Sequence, residues 1–177
     1  MRIGLFPIAA KPYHLGHHMV MKKASQECDK VVLIISLLDR ENIMGVDMAL
    51  IWRDHIIPTL PENVSTIFLE SSPVARVYQI LKLRDSDFSS DYKFRIYSDN
   101  EDIQKNYSNQ SLINACPMIA NTDIVECVGV PRSETIDITG TRMRHFIREG
   151  DFESFNKFMP KETNNKAIFE ILATLHK

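Results

Sequence analysis

The chain has 177 residues, 44% of them hydrophobic and 25% charged, a balance that excludes disordered, collagenous and disulfide-scaffold proteins. That length can bury roughly 70% of the surface exposed by the unfolded chain. A formal net charge of −2 supplies no global basic field, which argues against nucleic acid as a partner and makes any phosphate binding local.

The apolar run within Met1–Ala9 breaks at Pro7, far short of membrane-spanning length. The expectation is a cytoplasmic protein without signal peptide or membrane partner. Cys28, Cys116 and Cys127 are odd in number and form no CxxC pair, as suits reduced thiols.

Short apolar runs at Ile3–Ile8, Val31–Leu37, Thr66–Leu69, Phe94–Tyr97 and Ile124–Val128 read as buried strands. Helical spacing fills the intervals at His17–Glu27, Met48–Ile57, Val74–Leu83 and Glu101–Tyr107. Strand and helix in alternation predict a doubly wound α/β fold with a parallel sheet of about five strands. Polar stretches at Arg84–Tyr92 and Asn106–Ser111 read as surface loops. Helices follow at Thr141–Glu149, Phe152–Phe158 and Thr163–Leu175. Residues 1–177 are therefore expected to form one domain, with an α/β core at 1–138 and a motif helix and helical tail at 139–177.

Ligands of open α/β sheets bind outside the carboxyl ends of the strands. At that place after the first strand stand Ala9-Ala10-Lys11-Pro12-Tyr13-His14-Leu15-Gly16-His17-His18. Gly16 lets a ligand approach the backbone closely, and His14 and His17 flank the gap at a helix start that favours an anion. His18 projects about 100° away around the helix. Three clustered histidines also suit zinc, but no Cys, Asp or Glu within helical reach completes such a set, and no protein-held metal is assigned. A second anion site is expected at Asp137-Ile138-Thr139-Gly140-Thr141-Arg142-Met143-Arg144. Thr139 or Thr141 can cap that helix, and Arg144, one turn in, can offer a forked donor to phosphate. A plain capped helix with solvated arginines is the competing reading.

His14-Leu15-Gly16-His17 resembles the HxGH motif of the nucleotidyltransferase superfamily, and Ile138-Thr139-Gly140-Thr141-Arg142-Met143-Arg144 its ISSTxxR or SGTxxR motif. The two stand in the expected order near opposite ends of the chain. Tyr97-Ser98-Asp99-Asn100-Glu101 is similar to a segment that holds the base or acceptor in that superfamily, which brings in Asp99. The form of the second motif looks nearest to the nicotinamide mononucleotide adenylyltransferases. Many members carry Gly-x-Phe before the first motif, where Ala9-Ala10-Lys11 stands here.

The resemblance implies a Rossmann-like fold and transfer of a nucleoside monophosphate to a phosphorylated small-molecule acceptor with release of pyrophosphate. ATP is the first choice of donor and CTP the second, with Mg²⁺ arriving on the triphosphate. It implies that His14 and His17 meet the α- and β-phosphates, that Thr141 and Arg144, with the N–H groups of their helix, hold the leaving pyrophosphate, and that Ala9, Ala10, Lys11, Gly16, Asp99, Thr139 and Gly140 adjoin the nucleotide. Arg40, Trp52, Arg53 and Arg76 are candidates for the acceptor, although Leu50, Ile51, Ile56 and Ile57 around Trp52 favour a core position. A homo-oligomer is left open. A catalytically silent nucleotide sensor of this fold is one alternative. A dinucleotide-binding redox module is another, but it lacks Gly-x-Gly-x-x-Gly after strand one.

Overall fold

In the computed structural model the described residues are 1–87 and 90–174, apart from the side chain of Ser133. Five strands, β1 (Arg2–Ile8), β2 (Lys30–Ser36), β3 (Val64–Leu69), β4 (Lys93–Asp99) and β5 (Val125–Val130), pair in parallel in the order β3-β2-β1-β4-β5. The chain winds outward from β1 through β2 to β3, then returns to lay β4 on the other flank of β1. Strand order therefore reverses between β1 and β4, and their carboxyl ends open a crevice there.

The near-continuous apolar strands are explained by cover on both faces. Phe6, Ile8, Val31, Leu33 and Ile35 point to one face. There they meet Met21 and Ala24 of α1 (Leu15–Glu27), Met48 and Ile51 of α2 (Gly45–Ile51), Met143 and Ile147 of α6 (Gly140–Arg148), Phe155 of α7 (Phe152–Lys157), and Ile168 and Leu172 of α8 (Asn165–Thr174). Leu5, Ile34 and Ile96 point the other way, onto Val77 and Leu81 of α3 (Pro73–Ser86) and Leu112 of α5 (Asn109–Ala115), beside α4 (Asn100–Asn106).

Four sequence expectations need correction. The first third of the stretch expected as a loop at Arg84–Tyr92 continues α3 to Ser86. Arg84 is buried and donates to the Asp87 and Tyr92 carbonyls, while Asp85 accepts the N–H groups of Met118 and Ile119 at 2.8 Å each; its polar side chains serve backbone rather than water. The second expected loop, Asn106–Ser111, contains the start of α5, capped by Ser108 and anchored by buried Leu112. The tail helix begins at Asn165, because Asn164 accepts from the Ala167 N–H. The helix expected over Met48–Ile57 begins at Gly45 and passes into a π turn at Trp52–Ile56 and a 3₁₀ turn at Ile57–Thr59. Phe88, Ser89 and Leu175 of the expected segments lie outside the described residues.

Trp52, a candidate for stacking on the acceptor, is fully buried. Its ring meets Tyr13 at 4.9 Å and Phe68 at 6.1 Å, both edge-on. It is a core residue, placed there by the apolar residues that flank it. Among the described residues no helix is long and apolar enough to cross a membrane. Trp52→Ala should lower the stability read from urea unfolding by about 3–5 kcal/mol; a midpoint within error of the parent would contradict this placement.

Candidate active site

The first helix is built around its two motif histidines. His14 is the N-cap residue of α1, and its Nδ1 accepts from the Gly16 N–H at 3.1 Å. His17 answers with its own Nδ1, which accepts from the His14 N–H at 3.2 Å. Imidazoles thus form a reciprocal capping box of the kind usually made by Ser or Thr with Glu or Gln. With both Nδ1 atoms acting as acceptors, each neutral ring carries its hydrogen on Nε2. The rings stack with centroids 3.8 Å apart.

Burial, reinforced by the charge of Arg132, lowers the His14 pKa to about 4. Burial and the neighbouring His14 hold His17 well below the usual histidine value. Gly16 has a further use beside the one expected: a Cβ there would stand 2.9 Å from His14 Cε1, so the glycine also seats the ring of His14. The Leu15 and Gly16 N–H groups of α1 are already taken, by the Phe158 carbonyl at 2.7 Å and by His14. What this helix start can offer an anion is therefore the imidazole Nε2–H groups more than bare backbone. His18, as expected, points elsewhere, with Nδ1 2.9 Å from the Tyr13 hydroxyl and Nε2 3.2 Å from Glu162.

Helix α6 starts on the same crevice. Thr139 is its N-cap, accepting from the Arg142 N–H at 3.1 Å. His14, Gly16, His17, Thr139 and Gly140 all line one cleft of about 480 Å³. Its other walls come from Phe6 to Ala9 at the end of β1, Arg40 after β2, Pro73 and Val74 at the start of α3, Ser98 and Asp99 at the end of β4, Asp102 of α4, and Val130 and Arg132 at the end of β5. Asp99 caps α4 through the Asp102 N–H at 2.8 Å, and Asp102 accepts from Ser98 at 2.5 Å and from the amide of Asn106.

Several candidates stand apart from the cleft. Lys11 is buried and donates to the carbonyls of Ala9, at 2.9 Å, and of Ser36, tying the ends of β1 and β2 together. Burial brings its pKa down to about 8 against the opposing pull of Asp39. Ala10 is buried behind Ala9 with φ +52°. Arg144, expected to swing toward an anion in the cleft, turns away from it. Its guanidinium donates to Glu41 at 2.9 Å, to the Lys11 carbonyl at 2.7 Å and to the Thr141 hydroxyl at 3.1 Å. Gly140 makes room, since a Cβ there would stand 2.9 Å from Arg144 Nη1. Thr141 is thereby a partner of Arg144 and not part of the cleft wall. Arg53 forks onto Asp54 at 2.8 and 3.1 Å, and neither it nor Arg76 lines the cleft. Of the acceptor candidates, only Arg40 does.

Arg132 and Asp102 line the cleft without having been picked out from the sequence. A usable signal for Arg132 existed: Pro131 ends a strand, and the residue after a carboxyl strand end belongs to the ligand crevice.

No family model matches the chain. A nicotinamide-nucleotide adenylyltransferase of Methanothrix thermoacetophila is 25% identical over 151 residues, which cover 85% of this chain and 81% of that protein. Among solved structures, the fold matches a protein of Vibrio parahaemolyticus provisionally assigned as a nicotinate-nucleotide adenylyltransferase, with TM-score 0.61 and 18% identity over 97% of each chain. It also matches Plasmodium falciparum nicotinic acid mononucleotide adenylyltransferase complexed with NaAD, with TM-score 0.64 and 14% identity over 98% of this chain and 95% of that one. The Rossmann-like fold read from the sequence is thus borne out, and so is the nucleotidyltransferase resemblance, with adenylyltransferases as the relatives.

The histidine box makes stability depend on pH with a definite sign. His14 is held near 4 when folded and titrates at about 6.5 when unfolded. Between those values the unfolded chain binds the extra proton, so stability falls as pH drops from 6.5 toward 4, at a limiting slope of about 1.4 kcal/mol per pH unit for this one group. Urea midpoints measured across that window should show the fall, and His14→Asn, which can still cap, should flatten it. An unchanged slope in the variant would mean that other groups carry the titration.

Proposed function

We propose that this chain is an adenylyltransferase that joins AMP from ATP to a phosphorylated acceptor and releases pyrophosphate, with a nicotinate- or nicotinamide-type mononucleotide as the acceptor. One observation carries the reading: two helix starts, one bearing the stacked His14–His17 pair and the other Thr139 and Gly140, face the same cleft at the switch point of the sheet. The relatedness to a nicotinamide-nucleotide adenylyltransferase supports the choice of AMP over CMP and of the acceptor class.

The reaction needs positioning and charge stabilisation more than covalent chemistry from the protein. An oxygen of the acceptor's phosphate attacks the α-phosphorus of ATP in line. The bond from that phosphorus to the α,β-bridging oxygen breaks, and pyrophosphate leaves with the electron pair. An acceptor phosphate is already anionic, so no base has to generate the nucleophile. His14 and His17 aim their Nε2–H groups at the α- and β-phosphoryl oxygens, where developing charge meets fixed donors. The start of α6 holds the departing β- and γ-phosphates through its N–H groups and dipole. Asp99 faces the nucleotide, and Arg40, on the β2 side, faces the acceptor's phosphate.

Magnesium belongs to the substrate in this scheme, arriving on the triphosphate with several of its waters. Among the described residues no group of three or more His, Cys, Asp or Glu could hold a metal ion, and the cleft's own carboxylates, Asp99 and Asp102, are engaged with α4, Ser98 and Asn106. Arg144 joins the phosphates only by exchanging Glu41 for them.

Pyrophosphate release from ATP or CTP with Mg²⁺, screened against nicotinamide and nicotinic acid mononucleotides, phosphopantetheine, flavin mononucleotide and glycerol 3-phosphate, tests the proposal. Turnover with ATP and a pyridine mononucleotide is expected; ATP binding without pyrophosphate from any acceptor would instead identify a nucleotide sensor. His17→Ala should lower kcat by roughly 10²–10³ through loss of a phosphate donor and reduce stability by only about 1 kcal/mol through loss of the cap. If kcat at saturation matched the parent, His17 would be a structural residue. Glu41→Gln should lower the KM for ATP several-fold by releasing Arg144, and a raised KM would show that the Glu41 pair positions the arginine productively.

A further inference from the structure

The cleft has a charge problem that the two motifs leave unsolved. A nucleoside triphosphate is strongly anionic, yet the imidazoles that receive it are neutral in the free protein, and Asp99 and Asp102 add carboxylates to the same walls. The motif arginine cannot balance these charges as it stands, because Arg144 is buried against Glu41 and the Lys11 carbonyl. Two arginines do line the cleft: Arg40 after β2, and Arg132 after β5.

We propose that Arg132 is a phosphate-binding residue of this reaction, its guanidinium meeting the α-phosphoryl group from the β5 wall, opposite His14 and His17. The proposal rests on the adenylyl-transfer reading for the identity of the anion. β5 stops at Val130, Pro131 follows it, and Arg132 opens the short 3₁₀ turn Arg132–Glu134, so its Cα is fixed just past a carboxyl strand end while the side chain remains 55% exposed. The carboxylate nearest to it is Asp137 at 3.8 Å, itself 85% exposed. Such a long, solvated pair is weakly held and exchanges readily for a phosphate group, two of whose oxygens can accept from the planar guanidinium.

Proximity to the reacting centre follows from shared lining with His14 and Gly140 and from the field of Arg132 that His14 feels. Position along the sheet separates the two cleft arginines. Arg132 follows β5, on the stretch of chain that leads into α6, whereas Arg40 lies beyond β1 on the β2 side. Arg132 therefore belongs to the triphosphate end and Arg40 to the acceptor end.

Arg132→Gln and Arg132→Lys, each checked for parental melting, are compared with the parent by calorimetric titration with Mg·ATP and by pyrophosphate release. Arg132→Gln should lower kcat/KM for ATP by roughly ten- to a hundredfold, with the acceptor KM unchanged and partial recovery in Arg132→Lys. Parental ATP affinity and kcat/KM in Arg132→Gln would overturn the proposal while leaving adenylyl transfer intact, as would a defect confined to the acceptor KM. Should the parent bind Mg·ATP without releasing pyrophosphate from any acceptor, the enzymatic reading fails, and weakened ATP binding by Arg132→Gln still upholds the phosphate contact. A parent that binds no Mg·ATP would overturn both.

Discussion

A helix that begins at the rim of a sheet leaves backbone N–H groups without partners in its first turn. In α1 those of Leu15 and Gly16 are taken by the Phe158 carbonyl of the helical tail and by the His14 ring, while the His17 ring takes the N–H of the cap residue itself. The exchange of hydrogen bonds between His14 and His17 settles several matters together: it ends the loop after β1, stacks the rings, fixes their tautomers, and leaves Nε2–H groups as their remaining donors. Gly16 is needed because no Cβ fits beneath the His14 ring. The polar chemistry and the local fold of this segment are therefore the same interaction seen from two sides.

Around that cap the sheet supplies position and the distant chain supplies charge control. Reversal of strand order at β1 and β4 brings the starts of α1 and α6 to one rim. Lys11 ties the ends of β1 and β2 from beneath, and its carbonyl accepts from Arg144, so the loop of the first motif and the helix of the second share a buried hydrogen bond at 2.7 Å. Glu41 holds Arg144 and lies 3.5 Å from Arg148. Cations that a motif count would assign to the ligand are here parts of the scaffold, and those that face the cleft come from strand ends.

The strands and motif helices were legible because buried parallel strands are apolar throughout and because caps are local, set by residues two or three positions apart. Both motifs also declared their place, since any junction after a strand in this fold opens toward the ligand. Other features depend on partners far away in sequence. Nothing near Arg144 announces Glu41, and nothing near Lys11 announces the Ser36 carbonyl, so both cations were read as ligand-facing. Trp52 and Arg53 adjoin in sequence and diverge in space, one sealed in the core and the other out on Asp54, because neighbours on a helical turn face different ways. Helix α5 was hidden because its cap, Ser108, stands in a polar run that reads equally well as a loop.

Trp52 is the chain's one tryptophan, and it sits at the end of a short aromatic relay. Its ring contacts Tyr13 at 4.9 Å, and Tyr13 in turn stacks on His17 at 5.6 Å, 18° from parallel. The indole is thus shielded from solvent and separated from the cleft-lining ring of His17 by the ring of Tyr13. A single buried fluorophore therefore sits one ring removed from the cleft wall at His17, so its emission, read without any label, tests directly whether filling the cleft disturbs that packing.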